Sequence, residues 1–121
     1  MGRRNWGGGS ETIVSLTFDD GNDDQLAAEQ VMKAHGLVGT FFITTSWIDA
    51  PTWLTQANLH SIAADGNEIG GHTVTHPDLT TLSAADATAE VCDGRTLWRP
   101  GGSTRLILRI PLLLRTLRPS R

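Results

Sequence analysis

Thiol chemistry is nearly absent from this chain of 121 residues, because Cys92 is its only cysteine. No disulfide framework and no thiolate zinc site can form within it. A lone cysteine is expected as a small buried hydrophobe. Long apolar runs are missing too. The best candidate, residues 106–114, is broken by Arg109 and Pro111, well short of the ~18–20 residues that span a bilayer. Arg3 and Arg4 lead into no apolar stretch, so the N-terminus as it stands is not a signal peptide. There is no internal repeat.

Charge of each sign is missing from one part of the chain. Lys33 is the sole basic residue between Asn5 and Gly94, and no acid follows Asp93. All 13 acidic residues lie from Glu11 to Asp93, and seven arginines follow from Arg95 to Arg121. An acidic body reads as a solvated face. The arginine-rich tail raises the option of a nucleic-acid-binding arm. Such an arm usually carries lysine and aromatics as well, and this tail has only Trp98, so nucleic acid is the weakest of the partners considered.

The chain between these ends has a regular order. Residues 1–10, closing on Gly-Gly-Gly-Ser, read as a flexible leader. A strand is predicted over 11–18, where Ile13, Val14, Leu16 and Phe18 make a short β-rich run closed by Asp-Asp-Gly. Asp23 or Asp24 caps the next helix, which places Leu26, Ala27, Val31 and Ala34 near one face and ends at Gly36. Residues 39–44 form a second strand, apolar enough to be buried on both sides. A loop with Trp47, Pro51 and Trp53 follows. Thr55 opens a helix through Leu59 and Ile62 that stops at Asp65-Gly66, and 67–71 is a third strand. After a loop over 72–82, Ser83 and Asp86 form a capping pair for a third helix. Strand and helix alternate three times, which implies parallel strands in a β/α barrel or an open α/β sheet.

In such sheets functional groups collect at the C-terminal strand ends. Asp19 and Asp20 end the first strand, Thr44, Thr45 and Ser46 the second, His72 and His76 the third. One carboxylate and two imidazoles suit a divalent transition metal and leave a position open for water. The second aspartate is then available as a general base. Gly70-Gly71 and Pro77 put the histidine pair on a loop, and the Glu beside the first His that marks helical zinc proteases is missing. Residues 19–24 lack the alternating ligand spacing of a calcium loop. His35 and His60 read as structural or exposed helix residues.

Three stretches, 16–21 (Leu-Thr-Phe-Asp-Asp-Gly), 39–43 (Gly-Thr-Phe-Phe-Ile) and 67–79 (Asn-Glu-Ile-Gly-Gly-His-Thr-Val-Thr-His-Pro-Asp-Leu), resemble the polysaccharide deacetylases, carbohydrate esterase family 4, with the NodB-type homology domain. The resemblance implies an α/β fold, a distorted (β/α) barrel of the glycoside hydrolase/deacetylase type, of which this chain holds the N-terminal three strand–helix units. It implies a divalent metal, zinc first, with cobalt, manganese or nickel as alternatives. It implies an acetylated polysaccharide or oligosaccharide as substrate, chitin or peptidoglycan in type, and hydrolysis of its acetyl groups. Asp20, His72 and His76 match the metal ligands, Asp19 the general base, and Thr73 a residue bracing the histidine loop. Trp47 and Trp53 are candidates for a sugar-stacking platform. Members of the family are commonly secreted or associated with the cell wall.

The resemblance covers 11–94, which is expected to be an incomplete deacetylase domain. Residues 95–121 are expected to be foreign to the fold, a frameshifted or misassembled continuation. Arg99-Pro100 is a poor echo of the family's later Arg-Pro-Pro-Tyr loop, and no histidine follows His76 to supply the expected general acid. A truncated remnant that binds metal or glycan without turnover is therefore the alternative to an enzyme.

Overall fold

The computed structural model describes residues 12–97, with side chains to residue 94. The leader expected over 1–10, Glu11, Trp98, Arg99-Pro100 and the rest of the arginine-rich tail lie outside the described residues.

Three parallel strands form one sheet in the order β1-β2-β3, with β1 at Thr17–Asp20, β2 at Thr40–Ile43 and β3 at Glu68–Gly71. Helices α1 (Gln25–Ala34), α2 (Gln56–Ala64) and α3 (Ala84–Leu97) follow the strands in turn. This is the alternation expected from the sequence, consistent with part of an α/β barrel. No described helix is long and apolar enough to cross a membrane.

The central strand is buried because both of its faces are covered. Phe41, Phe42 and Ile43 are all buried, and Phe41 stacks on Phe18 of β1 with ring centroids 4.7 Å apart. Met32 from α1, Leu59 and Ile62 from α2, Leu54 from the loop before it and Ile69 from β3 complete the core.

Two expectations are corrected here. The first strand begins at Thr17, not residue 11, and Ile13 and Val14 are 77% and 76% exposed. Pairing starts at Thr17↔Thr40, where β2 itself starts, so among the described residues Ile13 and Val14 have no strand to join. In α1, Val31 is 61% exposed, and the buried residues are Glu29 and Met32. Counting apolar positions missed this face because it contains a carboxylate. Glu29 accepts a hydrogen bond from Asn67 Nδ2 at 3.1 Å, so the burial of its carboxylate is compensated. Asn67 also donates to the Ile62 carbonyl at 3.0 Å and accepts from Gly39 N at 2.9 Å. One amide thus ties α1, the end of α2 and the entry to β2 together.

Helix ends follow the local chemistry. Thr55 and Asn58 form a reciprocal capping box on α2, and Gly66 beyond its C-terminus has φ +97°. Gly36 plays the same part after α1, at φ +67°. Asp24 precedes α1 but makes no side-chain cap bond. Ser83 Oγ accepts from Asp86 N at 3.1 Å and donates to its carboxylate at 2.6 Å, opening α3. That helix continues through Leu97, past the change in charge at Gly94. Cys92 is exposed on it, contrary to the expected burial; two residues from both Glu90 and Gly94, it falls on the side of the helix away from the histidine loop.

Candidate metal centre

Parallel register sets Asp20, Ile43 and Gly71 side by side at one end of the sheet. His72 is the next residue after Gly71. Outer strands of a three-stranded sheet are about 9–10 Å apart, so side chains from β1 and β3 must lean over the end of β2 to meet. They do so. Asp20 Oδ1 lies 3.2 Å from His72 Nε2 and 3.4 Å from His76 Nε2. The ligand atoms of all three lie within 4.8 Å of one another.

The backbone bends sharply to achieve this. Asp20, Thr73 and His76 have φ of +78°, +68° and +60°. Left-handed backbone is uncommon outside glycine and a clear outlier for a β-branched residue such as Thr73. Such strain, about 1–3 kcal/mol per residue, persists only where the surroundings over-determine it. Thr73 is fully buried, and its hydroxyl donates to the His72 carbonyl and accepts from His76 N at 3.0 Å. Its own carbonyl accepts from Thr45 N at 3.2 Å, and the Val74 carbonyl accepts from Ser46 N at 2.9 Å. The polar residues after β2 thus join the histidine loop to the sheet, with Thr44 Oγ1 donating to the His72 carbonyl at 3.3 Å.

Donor type and surroundings fit a divalent cation. Asp20 Oδ1 is buried yet accepts no hydrogen bond, and its contacts with the two imidazoles lack hydrogen-bond geometry. An unsatisfied buried carboxylate oxygen costs about 1–3 kcal/mol or more, and a cation among three nitrogen and oxygen donors removes that cost. His72 is 3% exposed, whereas His76 and Asp20 are 32% and 37% exposed, so the cluster is closed from below and reachable from one side.

Asp19 is the penultimate residue of β1, half-buried beside the cluster but not one of its three members. Trp47 ends a short turn after β2, and its ring lies 5.7 Å from that of His76 at an interplanar angle of 25°. Trp53 packs on Trp47 with centroids 4.2 Å apart. The loop between them is pinned to the end of β1 through Leu54 N donating to the Gly21 carbonyl at 2.8 Å and Asp23 N to the Thr52 carbonyl at 3.0 Å. Both indoles are half-exposed. His35 and His60 are exposed and outside the cluster.

Two residues of α3 that the motifs do not point to also touch the site. Glu90 accepts from the backbone of the histidine loop, and Gly94 packs against Thr73. A glycine inside a helix costs about 1 kcal/mol relative to alanine, and Gly94 one turn after Glu90 was the signal available.

Comparison with known proteins agrees with this architecture. The profile of the polysaccharide deacetylase family matches residues 7–112. The chain belongs to the polysaccharide deacetylase family. It is 34% identical over 83 residues to a chitin deacetylase of Colletotrichum lindemuthianum, covering 65% of this chain and 33% of that protein. It is 35% identical over 81 residues to the peptidoglycan-N-acetylmuramic acid deacetylase PdaA of Bacillus subtilis, covering 64% and 29%. The structure of Streptococcus pyogenes deacetylase PplD in complex with acetate superposes with a TM-score of 0.69 at 28% identity, covering 72% of this chain and 40% of that one. The chain thus spans about a third of the length of these two curated relatives.

Proposed function

We propose that this chain is the metal-binding part of a hydrolase that removes acetyl groups from N-acetylated polysaccharide of the chitin or peptidoglycan type. The observation that carries the reading is the convergence of Asp20, His72 and His76 at one end of the parallel sheet. Support comes from relatives named as chitin and peptidoglycan deacetylases, and from a solved relative that holds acetate, the product such a reaction releases.

Asp20, His72 and His76 would hold the metal, zinc first, with cobalt, manganese or nickel as alternatives. When bound there, a divalent metal supplies a water whose pKa falls to about 7 and a Lewis acid for the acyl carbonyl. The other roles belong to the chain's own residues. Asp19, next to the ligand Asp20, takes a proton from the attacking water. The amide C–N bond breaks, acetate leaves, and the amine nitrogen takes up a proton. Thr73 links the backbones of the two histidines, its hydroxyl donating to the His72 carbonyl and accepting from His76 N. Trp47 and Trp53 offer an apolar surface beside His76 on which a sugar ring can stack.

No histidine follows His76, where the family resemblance calls for a later one to protonate the amine. A second reading, of another class, is a chain that binds metal or glycan without turnover. Acetate release from N-acetylated chitooligosaccharide with added zinc or cobalt separates the two. Asp19→Asn is expected to abolish turnover and leave zinc bound; turnover that survives the change removes Asp19 as the base. Unchanged chitooligosaccharide affinity in a Trp47→Ala/Trp53→Ala variant removes the stacking platform. We read 11–94 as the deacetylase unit and 95–121 as foreign to it on the switch in charge, although the family profile runs on to residue 112 and α3 to Leu97. Translating the other frames past codon 94 of a resequenced locus tests that boundary.

A further inference from the structure

The geometry points to Glu90 as a positioning residue for the metal site, acting from α3 through the loop between the two histidines. Its carboxylate takes three hydrogen bonds from that loop. Oε2 accepts from Val74 N at 2.9 Å and from Thr75 N at 2.8 Å, and Oε1 accepts from Thr75 Oγ1 at 2.7 Å. Hydrogen bonds to an ionised acceptor are roughly twice as strong as neutral ones. Val74 and Thr75 sit between the left-handed residues Thr73 and His76, so the carboxylate grips the part of the loop that sets the spacing of His72 and His76.

The other side of the loop is held from the turn after β2, by Thr45 N and Ser46 N donating to the Thr73 and Val74 carbonyls. Val74 is therefore held through its carbonyl by the turn after β2 and through its N–H by α3. Gly94, one helical turn beyond Glu90, brings α3 into contact with the Thr73 backbone and sets the distance over which Glu90 reaches. Glu90 touches no reacting group. It acts by restricting the loop to the conformation in which His72 Nε2 and His76 Nε2 both approach Asp20 Oδ1.

The affinity part of this inference rests on the metal reading proposed above; the loop restraint does not. Zinc affinity, from competition with a chromophoric chelator, and amide exchange of the metal-free chain are measured for the wild type, Glu90→Ala, Glu90→Gln and Thr75→Val. Partners that orient metal ligands typically contribute 10–100-fold in affinity. Glu90→Ala is expected to weaken zinc by at least 10-fold and to speed exchange at Val74 and Thr75 at least 10-fold, with exchange in β2 unchanged. Glu90→Gln keeps an oxygen for both backbone donors and restores both readouts to within about 3-fold of the wild type, a recovery that helix packing alone does not explain. Thr75→Val loses only the hydroxyl bond, so it is a milder form of the same test if Glu90→Ala does not fold, with an intermediate effect expected on both. Wild-type affinity and exchange in Glu90→Ala, or in Thr75→Val where Glu90→Ala does not fold, overturn the proposal. A wild-type chain that binds no zinc overturns the metal reading and the affinity part with it, and the exchange rates then decide the loop restraint alone.

Discussion

Gly94 lies so close to Thr73 that a Cβ added to it would sit 3.0 Å from the Thr73 carbonyl carbon and 3.1 Å from its oxygen. Both atoms are backbone, in a loop bonded on two sides, so neither can give way without moving His72 or His76. Replacing Gly94 by alanine sets two effects against each other. Alanine favours a helix by about 1 kcal/mol, whereas overpacking against fixed atoms costs about 1–3 kcal/mol. Because the overlap is with backbone, overpacking outweighs the gain in helix preference. Gly94→Ala is expected to lower stability by about 1 kcal/mol in urea unfolding, and a more stable variant would show that the helix stands off from the loop.

Ligand removal gives a second prediction. A metal that binds only the folded chain adds about 2.7 kcal/mol at a free concentration 100 times its Kd. Zinc is expected to raise the melting temperature of the wild-type chain by several degrees, and EDTA to reverse the rise. Asp20→Ala, His72→Ala and His76→Ala should each lose most of it. A shift that persists in all three would place the ion elsewhere.

Trp47 offers an optical readout. Its ring lies 5.7 Å from that of His76, so an ion on the imidazole changes the indole's surroundings. Zinc titration is expected to change tryptophan emission with the same midpoint as the thermal shift. Trp47→Phe should remove most of that change, although Trp53 and two further tryptophans remain. An undiminished signal in that variant would separate the indole from the metal site.

Asn67 tests the fold apart from the site. Its amide satisfies Gly39 N, the Ile62 carbonyl and the buried carboxylate of Glu29. Asn67→Ala leaves the buried carboxyl of Glu29 and the half-buried N–H of Gly39 without this partner. The expected loss is about 2–4 kcal/mol, read by chemical denaturation. A loss below about 1 kcal/mol would mean that water replaces the amide.

The features legible in the sequence were those set by local chemistry. Thr55 and Asp65-Gly66 bracket α2 because a hydroxyl cap and a left-handed glycine act within a few residues. The run Phe41-Phe42-Ile43 marks a strand buried on both sides whatever else surrounds it. The meeting of Asp20 with His72 and His76 followed from the rule that parallel strands present their C-terminal ends together. What was hidden depends on partners far along the chain. β1 starts where β2 provides a partner, and nothing near Ile13 records that. Glu29 is buried because Asn67 meets it, so an apolar count chose Val31 instead. Glu90 looks like an ordinary surface glutamate until α3 is laid against the histidine loop.

The middle strand of the sheet supplies none of the three clustered groups; they come from β1 and from the loop after β3. An ion held by Asp20 and His72 therefore acts as a removable cross-link, closing a stretch of chain on the order of 50 residues. A covalent link over that length lowers the entropy of the unfolded chain by an amount worth about 4 kcal/mol at room temperature. The stretch it closes contains β2, α2 and most of the core, so chelation would loosen the scaffold that carries the site.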